Sequence, residues 1–534
     1  TENGVNTLGL ERGRNIEHLK YYPTMFKDPW QLPHADNLSA EDAKHYKKQM
    51  RTGYTVKEST KHWWVKDTDQ PYEEVSRFDW IRGYHVGGRS IMWGRQSYRL
   101  SPMDFEANAK DGVGIDWPIR YEDLEPWYEY VERFAGISGQ AEGLPQLPDS
   151  IFLPPMELNC VEEVLKESMA ERFNRTLTIG RVANLTQPHN GRGQCQMRNL
   201  CIRGCPYGAY FSSNASTLPA AADTGHMTLR PHSIVNSVIY DEDTGRATGV
   251  RVIDAETLEV HEFYARIIFL NASCMNTTLI MLNSTSDRFP NGLGNDSDQL
   301  GRNVMDHHLG VGASGTYDGF EDRYYWGRRA NGFYIPRFRN LNGQQRDYIR
   351  GFGYQGAGSR ESWQRGVREL SLGSELKELL QEPGSWQLGM SGFGEMLPNE
   401  NNRVWLNKQK TDKWGQPTLV FDVEFGENEY KMREDMKNDA AEMLEEAGFK
   451  NIRTFDNPGG PGLGIHEMGT ARMGRDPNSS VLNQWNQVHS VRNVFVTDGA
   501  CMTSGGCQNP SLTYMALTAR AANFAAEQLK KGNL

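Results

Sequence analysis

Three cysteines near the middle of the chain have a spacing that suits a thiolate site. Cys195, Cys201 and Cys205 fall in the pattern C-x5-C-x3-C-P within the segment GQCQMRNLCIRGCPYG. Thiolates grouped in this way suit an iron–sulfur cluster, a zinc ion or redox exchange. The alternative is a partly buried, cysteine-rich loop whose thiols pack as small apolar side chains. Because the chain has seven cysteines, an odd number, we do not predict a disulfide framework.

Two other groups carry side chains that could bind a metal or move a proton. Asp306, His307 and His308 are adjacent, and neighbouring residues of a strand point to opposite faces, so we favour a structural role over a metal site. His466 lies in the pattern H-x-x-G-T, and imidazole has a pKa that suits a general base near neutral pH. A lone histidine is more often an ordinary packed side chain, so the role of His466 depends on its context.

The first 13 residues, TENGVNTLGLERG, predict a turn, a short strand and then an acidic residue, Glu11. In a dinucleotide-binding fold, such an acid hydrogen-bonds the adenosine ribose and lies about 20 residues after a glycine-rich loop. The alternative for Glu11 is a surface acid at a strand end. GFGYQG at 351–356 is the only G-x-G-x-x-G in the chain. Because no apolar helix follows it, we interpret it as a glycine-rich turn in a sheet rather than a phosphate loop.

Periodicity and turn signals predict the elements that must position these residues. We expect loops and short helices over 14–80. The predicted helices are 121–139, 428–450 and 509–531, the last with Pro510 in its first turn. The predicted strands lie in a meander over 227–273 with an Asp-Thr-Gly turn, among polar loops over 311–425, and within 491–500.

Composition excludes several classes of protein. A chain of 534 residues with 38% hydrophobic and 24% charged residues indicates an ordinary soluble composition in two or more domains, or in one large interleaved body. The net charge of −10 argues against nonspecific nucleic-acid binding, which requires a basic surface. No apolar run reaches the roughly 20 residues of a membrane span, so we predict no transmembrane segment.

Two C-terminal segments resemble a known family. GIHEMGTARMG (464–474) and VTDGACMTSGGCQNPSLTYMAL (496–517) are similar to the C-terminal signature of the glucose–methanol–choline flavin oxidoreductases. The Gly-Gly pair at 87–88, IDWPIRYEDLEPWYEYVE (115–132) and LGRNVMDHH (300–308) also fall in the family's order. The Asn of the NP dipeptide, where some relatives have a second histidine, indicates the branch of bacterial sugar dehydrogenases and pyranose oxidases.

The resemblance implies an α/β fold with a discontinuous, Rossmann-like FAD-binding domain and an α+β substrate-binding domain that contains an antiparallel sheet. We expect the FAD-binding domain to comprise 1–40, 78–110, 190–310 and 455–534, and the substrate-binding domain to comprise 111–189 and 311–454. The family's first strand and glycine-rich loop would precede Thr1. The resemblance therefore implies that about 25 to 30 residues of the FAD-binding domain lie upstream of this sequence.

The resemblance also implies the catalytic and cofactor-binding residues. The family's base, which takes the hydroxyl proton while hydride passes to the flavin, maps onto His466, and Asn509 would orient the substrate hydroxyl. The N-terminus of the last helix, at Pro510, would favour negative charge on the reduced flavin. Glu11 would bind the ribose and Val235 the adenine. The residues that the resemblance places against FAD are Glu11, Gly87, Gly88, Ser90, Met92, Trp93, Gly94, Val235, Asp498, Gly499, Asn509, Pro510 and Thr513.

Two departures from the family bear on cofactors. Several relatives carry a histidine bonded to the flavin where this chain has Met92, and a thioether has no such role, so we predict noncovalent FAD. Trp93 would wall the flavin, with core packing of both side chains as the alternative. The cysteine segment resembles one in membrane-associated sugar dehydrogenases that holds a 3Fe–4S cluster. The ligands implied by that resemblance are Cys195, Cys201 and Cys205, although Gln196 stands where those relatives often have a further cysteine.

From the resemblance we expect a dehydrogenase that oxidises a secondary hydroxyl of a sugar, glycoside or sugar acid, similar to a glucoside 3-dehydrogenase or a gluconate 2-dehydrogenase. The alternatives are a sugar oxidase that uses oxygen, a non-catalytic remnant of the family, or a nicotinamide enzyme. The electron acceptor would be a quinone, a cytochrome or a small partner subunit, and both the bacterial periplasm and the cytoplasm stay open as locations. Aromatic residues that fit stacking on sugar rings, or core packing, are Tyr324, Tyr325, Trp326, Phe333 and Tyr334.

Overall fold

The computed structural model describes residues 1–341, 343–361, 372–457 and 459–534. The described α-helices are α1 (Ala40–His45), α2 (Pro102–Asp111), α3 (Tyr121–Ala135), α4 (Cys160–Phe173), α5 (Thr217–Asp223), α6 (Cys274–Asn283), α7 (Gly373–Gln381), α8 (Glu427–Glu446) and α9 (Ser511–Lys530). The described strands are β1 (Thr7–Leu10), β2 (Glu73–Glu74), β3 (Ile137–Ser138), β4 (Phe152–Leu153), β5 (Thr178–Ile179), β6 (Met227–Arg230), β7 (Ser233–Asp241), β8 (Arg246–Asp254), β9 (Val260–Tyr264), β10 (Ile268–Leu270), β11 (His307–His308), β12 (Val311–Tyr317), β13 (Phe333–Ile335), β14 (Phe352–Arg360), β15 (Trp386–Glu395), β16 (Arg403–Thr411), β17 (Pro417–Asp422), β18 (Lys450–Asp456), β19 (Gln487–Val488) and β20 (Val491–Val496).

Two short parallel pairings place acidic residues at the carboxyl ends of strands. β1 pairs with β6 in parallel, and β10 pairs with β20 in parallel. Glu11 directly follows β1, and Asp498 follows β20 after one intervening residue. Because ligands of open α/β sheets bind outside the carboxyl ends of the parallel strands, both acids lie where such a fold binds a dinucleotide.

The prediction of one meander over 227–273 is wrong at both ends. β7, β8 and β9 form an antiparallel meander, and the Asp-Thr-Gly turn joins β7 to β8. The flanking strands β6 and β10 leave this meander and pair in parallel with β1 and β20. Parallel partners are joined by long crossover connections, so the alternating pattern of one short segment does not reveal them.

A seven-stranded antiparallel sheet is the largest sheet among the described residues, with the order β18-β12-β15-β14-β13-β5 and β11 paired to β15. α8 packs on this sheet through the apolar face that the sequence predicts. That face consists of the buried residues Met432, Met436, Ala440, Met443 and Leu444. Amphipathic spacing at a period of 3.6 residues is therefore sufficient to identify how α8 packs.

The GFGYQG segment lies in this sheet, as predicted, although it forms a strand rather than a turn. Five of its six residues begin β14. A Cβ atom on Gly356 would lie 2.4 Å from the Phe333 ring and 2.5 Å from the carbonyl oxygen of Gly389. The glycine therefore permits close packing between strands and does not cradle a phosphate. Residues 362–371, which include most of the polar sequence that follows, lie outside the described residues.

A buried ion pair on α3 ties the helix to neighbouring loops. The Arg99 guanidinium donates to both carboxylate oxygens of Glu132, at 2.8 and 2.6 Å, and to the Tyr121 hydroxyl at 2.9 Å. Glu132 also accepts from the backbone N–H of Ile151 at 3.0 Å. Both charged side chains are almost completely buried, with 3% and 0% exposure. Removal of Glu132 would leave the buried Arg99 charge with only the Glu125 carboxylate, which is 3.8 Å away and 47% exposed.

We expect Glu132→Gln to lower the free energy of unfolding by about 3 kcal/mol, because it leaves the Arg99 charge buried without its carboxylate. The matched control is Glu129→Gln on the same helix. Glu129 pairs with Arg133 at 3.7 Å across exposed side chains, and such pairs contribute less than about 1 kcal/mol. Denaturant unfolding followed by tryptophan fluorescence measures both variants. Equal midpoints for the two variants would contradict the assigned role of the buried pair.

Candidate active site

The two predicted catalytic residues lie next to each other at the start of α9. Nε2 of His466 and Nδ2 of Asn509 are 3.4 Å apart. Pro510 is the N-cap residue of α9, so the positive end of that helix adjoins the pair. Asn509 is buried, whereas His466 lies deep in the protein but keeps part of its surface open. The structure therefore brings His466 next to Asn509 and Pro510, although Asn509 lies 43 residues further along the chain.

The loop that carries His466 is wrapped around one carboxylate. Asp306 accepts hydrogen bonds from the backbone N–H groups of Gly462 at 2.7 Å, Gly464 at 2.9 Å and His466 at 3.0 Å. Burial raises the pKa of Asp306 to about 7, against the opposite effect of these N–H donors. Ile465 has φ of +58°, a left-handed conformation that a β-branched residue rarely adopts and that costs roughly 1–3 kcal/mol. The hydrogen bonds to Asp306 hold the strained backbone that orients the imidazole of His466.

A second histidine fixes the tautomer of His466. Nε2 of His307 lies 2.8 Å from the carbonyl oxygen of Gly506, and its Nδ1 lies 2.8 Å from Nδ1 of His466. Burial lowers the pKa of His307 to about 4, so its ring is neutral near pH 7. A carbonyl only accepts, so the single N–H of neutral His307 is at Nε2 and its Nδ1 is an acceptor. His466 must then donate from Nδ1, which leaves the lone pair of its Nε2 facing Asn509.

The other wall of the site comes from the seven-stranded sheet. Nε2 of Gln355, on β14, donates to Oδ1 of Asn509 at 2.5 Å. Phe393, on β15, has its ring centre 6.4 Å from that of His466. Phe393 lies opposite Gly353 in the β14–β15 register, so Phe393 and Gln355 project from the same face of the sheet. One face of the sheet therefore approaches the His466–Asn509 pair.

Arg89, from the Gly-Gly segment, connects that segment to the same loop. Its guanidinium donates to both carboxylate oxygens of Glu467, at 3.1 and 2.9 Å, and to the Ser273 hydroxyl at 2.7 Å. The carbonyl oxygen of Glu467 would lie 2.2 Å from a Cβ atom on Gly499, so the backbones of these two segments are in close contact. The arrangement as a whole presents one neutral imidazole nitrogen beside an amide donor, which suits removal of a proton from a hydroxyl group.

Comparison with known proteins decides the family. Family models described as GMC oxidoreductase match residues 49–309 and residues 398–518. The chain belongs to the GMC oxidoreductase family.

Individual relatives extend over most of the chain. The chain is 29% identical to 2-methyl-1,2-propanediol dehydrogenase of Mycolicibacterium austroafricanum, over 83% of this chain and 81% of that protein. It is 28% identical to the fructose dehydrogenase large subunit of Gluconobacter japonicus, over 84% and 81% of the two chains. It is 24% identical to the gluconate 2-dehydrogenase flavoprotein of Pantoea cypripedii, over 99% and 91%. The resemblance predicted from the motifs is thus confirmed, and the protein is an FAD-dependent oxidoreductase that acts on CH–OH groups.

Solved structures confirm the α/β fold class. Pyridoxine 4-oxidase from Mesorbium loti aligns with a TM-score of 0.57 at 15% identity, over 98% of this chain and 94% of that one. A formate oxidase variant from Aspergillus oryzae RIB40 aligns with a TM-score of 0.60 at 13% identity, over 99% and 95%. At these identities the similarity concerns the fold alone.

FAD is the family's cofactor, and the adenosine end of its predicted site fits it. The backbone of Glu11 bonds to Arg230 and Ser233, which places Glu11 beside the start of β7 and hence near Val235. Oε1 of Glu11 accepts from the N–H of Gly13 at 2.7 Å, and its Oε2 makes no hydrogen bond among the described residues. Burial raises the pKa of Glu11 to about 7. A carboxylate oxygen without a partner suits the hydroxyls of a ribose.

The middle of the predicted FAD site contains glycine and unpaired polar atoms. Gly87 has φ of +87°, and a Cβ atom there would lie 1.6 Å from Oδ1 of Asn214, so no other residue fits. Among the described residues, three buried polar atoms in this region make no hydrogen bond, namely Nε2 of His85, Oδ1 of Asn214 and the hydroxyl of Tyr514. Buried polar atoms are normally paired, so these atoms fit a bound polar group such as the cofactor.

The other predicted FAD contacts are partly occupied by protein partners. Asp498 accepts from the Thr277 hydroxyl at 2.5 Å and from the N–H of Ala500 at 3.0 Å, and burial raises its pKa to about 6. Thr513 hydrogen-bonds the Tyr128 hydroxyl at 2.8 Å. Both carboxylate oxygens of Asp498 and the Thr513 hydroxyl already have protein partners, so any contribution that these residues make to cofactor binding comes through the backbone or through a second hydrogen bond at one of these atoms.

In the segment that contains the Gly-Gly pair, some of the predicted FAD contacts are buried in the core and others are exposed. Met92 is buried in a core cluster with Trp63 and Ile81, which is the packing alternative stated for it. The Trp93 indole N–H donates to the Phe211 carbonyl oxygen at 2.8 Å. The remaining predicted contacts in this segment are Gly88 and Ser90, which are partly exposed, and Gly94, which is exposed.

The three cysteines share one small cavity but are not assembled as a ligand set. Cys195, Cys201 and Cys205 all line this cavity. Burial raises the pKa of the Cys195 thiol, and the other two thiols add to the shift. Within the ranges that the structure describes, no group of three or more His, Cys, Asp or Glu residues is placed to hold a metal ion. The iron–sulfur cluster therefore stays a prediction.

The sequence motifs did not identify the residues around the catalytic pair. Asp306 and His307 lie in a motif that pointed to the family, and His307 and His308 do point apart. His307 contacts His466, whereas His308 packs 5.8 Å from the Phe425 ring. The presence of Asp306 and His307 in this family motif was the sequence signal that could have identified them as partners of His466. For Gln355, no signal exists without the register of β14.

The structure also separates the predicted aromatic residues. Phe333 and Tyr334 are core residues with 1% exposure each. The exposed members of the group are Tyr324, Tyr325 and Trp326. In the part of the chain that is described, no helix combines the length and apolar character that crossing a bilayer requires.

We expect His307→Leu to lower kcat/KM by about 100-fold while FAD stays bound, because His466 loses the acceptor that fixes its tautomer. His307→Asn is the matched variant, since its Oδ1 takes the position of the lost Nδ1 and still accepts. We expect that variant to lose less than about 10-fold. Steady-state kinetics with an artificial dye, together with the FAD content, measures both. Equal losses in the two variants would mean that His307 acts through packing alone.

Proposed function

We propose that this GMC oxidoreductase is a dehydrogenase that oxidises a secondary hydroxyl of a sugar, glycoside or sugar acid. The observation that carries the oxidation of a hydroxyl is the 3.4 Å contact between Nε2 of His466 and Nδ2 of Asn509, with Nδ1 of His466 held by His307 at 2.8 Å. The names of relatives support the substrate class, because they include a fructose dehydrogenase large subunit, a gluconate 2-dehydrogenase flavoprotein and a C-glycoside 3-oxidase. The last of these is 24% identical over 56% of this chain.

In the proposed reaction, Nε2 of His466 accepts the proton of the substrate hydroxyl. Nδ2 of Asn509 donates to the same oxygen and holds it against the imidazole. When bound, FAD accepts the hydride that leaves the carbinol carbon. Burial lowers the pKa of His466 well below its usual value, with His307 and Arg89 acting in the same direction, so the lone pair is available at neutral pH. The imidazolium that forms keeps its hydrogen bond from Nδ1 to His307.

We assign the cofactor contacts by the same reasoning. Glu11 would hold the ribose through its free carboxylate oxygen, with the backbone near Val235 against the adenine. The unpaired Asn214 Oδ1 beside Gly87 and the unpaired Tyr514 hydroxyl would meet polar groups of FAD. Met92 is packed in the core, so we propose that FAD is bound noncovalently.

A sugar oxidase is the second candidate function. Two relatives that are 28% identical over 83% of this chain are the 6'''-hydroxyparomomycin C oxidase of Streptomyces lividus and the paromamine 6'-oxidase of Streptomyces fradiae. Proton removal by His466 is the same in both candidates, since they differ only in the final electron acceptor. Turnover rates in oxygen and with a dye separate them.

The test of the proposed function is anaerobic bleaching of the flavin absorbance by a panel of sugars, glycosides and sugar acids. At least one of these should bleach the FAD bands of the parent protein. His466→Ala should slow that bleaching by about 100-fold or more while FAD stays bound, because no base takes the proton. A panel that leaves the bands unchanged, with a simple diol bleaching them, would overturn the sugar assignment. An unchanged rate in His466→Ala would remove His466 as the base.

We further propose that the cysteine segment holds a 3Fe–4S cluster and passes electrons to a quinone, a cytochrome or a partner subunit. Support comes from the C-x5-C-x3-C-P spacing, from the shared cavity, and from a relative that is named as a large subunit. The loop would have to rearrange to bring the three sulfur atoms around iron.

We expect the protein to contain iron and Cys201→Ser to lose it. Cys160→Ser, which changes a cysteine at the start of α4, should retain it. Iron content equal in both variants and the parent would exclude the cluster.

A further inference from the structure

The amide of Gln355 lies at the end of a hydrogen-bond chain whose direction is fixed from its other end. The chain begins at the carbonyl oxygen of Gly506 and runs through His307 and His466 to Asn509. Each member has one arrangement of donors and acceptors that satisfies its neighbours. Because Nε2 of His466 is an acceptor, Asn509 must present Nδ2 to it. Oδ1 of Asn509 then faces Gln355, which must present its own Nε2.

We propose that Gln355 is a positioning residue, which locks the amide of Asn509 in the orientation that keeps Nε2 of His466 free to accept a proton. The proposal rests on the proposed role of His466 as the base. Gln355 acts through Asn509 and does not need to touch the substrate. It also connects the seven-stranded sheet to residues at the start of α9.

The position of Gln355 supports this role. It is the penultimate residue of the GFGYQG segment, and the glycines on either side bring β14 close to its neighbours. A Cβ atom on Gly353 would lie 2.7 Å from the Tyr334 hydroxyl, and one on Gly356 would lie 2.4 Å from the Phe333 ring. Tight packing at both positions limits how far the strand, and with it the amide of Gln355, can move.

An amide rotated by half a turn would reverse the electrostatics at His466. Oδ1 of Asn509 would then face Nε2, and two acceptors in contact would repel unless Nε2 carried a proton. A protonated His466 cannot take a proton from a substrate. The ionisable groups around His466 are His307 on β11, Asp306, Arg89 and the neighbouring Glu467. None of these contacts the amide of Asn509, which lies between Nε2 of His466 on one side and Gln355 on the other, so Gln355 secures from outside the orientation that His466 requires.

The test uses two substitutions of similar size, one that reverses the polarity of the hydrogen bond to Asn509 and one that removes this bond. In Gln355→Glu the carboxylate only accepts, so Asn509 must turn Nδ2 toward it and Oδ1 toward His466. Gln355→Met removes the hydrogen bond without imposing the reverse orientation. Gln355→Asp carries the same reversed polarity and replaces the first variant if that one does not fold. Thermal melting and FAD content establish that the proteins compared are folded and loaded.

The readout is the protonation state of His466 itself. Protein labelled with ¹⁵N in its histidine rings gives long-range correlation spectra that distinguish the Nδ1–H tautomer, the Nε2–H tautomer and the cation, and His466→Ala identifies the signals. We expect a neutral Nδ1–H ring at pH 6 to 8 in the parent and in Gln355→Met. In Gln355→Glu we expect the apparent pKa of His466 to rise by at least one unit relative to Gln355→Met. We also expect Nε2 to carry a proton at pH 8, where the added negative charge without a turn of the Asn509 amide would leave the neutral Nδ1–H ring.

Kinetics provides a second readout. The acid limb of the pH profile of kcat/KM should move upward by the same amount in Gln355→Glu. In Gln355→Met it should stay in place while kcat/KM falls at every pH, because Asn509 is no longer held in one orientation. Identical His466 spectra in the two variants would overturn the proposal, because Gln355 would then be a packing residue. Since the spectra need no substrate, they still test Gln355 if no sugar bleaches the flavin and the proposed function fails.

Discussion

The carbonyl oxygen of Gly506 has no proton to give, and this one restriction sets the proton positions throughout the active site. Its partner His307 must place its single N–H at Nε2, and His466 must then donate from Nδ1. A hydrogen-bond chain with one fixed end cannot reverse without leaving a buried group unsatisfied, which costs about 1–3 kcal/mol for each group. The base is therefore prepared for its task before a substrate arrives, and no reorganisation is required at the moment of reaction.

Burial makes that preparation possible and also demands compensation. It keeps both imidazoles neutral, because desolvation disfavours the charged form of a histidine. The same low dielectric penalises Asp306, whose pKa rises to about 7 despite three backbone donors. Those donors fold the loop around the carboxylate and hold Ile465 at a positive φ. The strained backbone at Ile465 and the buried carboxylate of Asp306 thus act together to orient His466 toward Asn509.

The sequence was sufficient to locate His466 and Asn509, since both lie in segments whose pattern identifies the family. It was not sufficient for their partners. His307 is 159 residues from His466, and Gln355 is 154 residues from Asn509, so only the folded chain brings them together. The strands β6 and β10 show the same limit, because their local pattern is that of a meander while their partners lie far away along the chain. The packing of helix α8 was predicted correctly because its apolar residues recur with a period of 3.6 within one continuous segment.

The active site is formed jointly by the C-terminal region and the seven-stranded antiparallel sheet. His466 and Asn509 follow the strand and helix pattern of the C-terminal region, whereas Gln355 and Phe393 project from the antiparallel sheet. A sheet that only covered the site would not need the partly buried Gln355 side chain against the buried Asn509, since an unpaired amide there is costly. The amide of Gln355 is accommodated because Asn509 pairs with it, and Asn509 is oriented because Gln355 donates. The antiparallel sheet that forms a wall of the site thus also helps to hold the base of the C-terminal region, His466, in its reactive state.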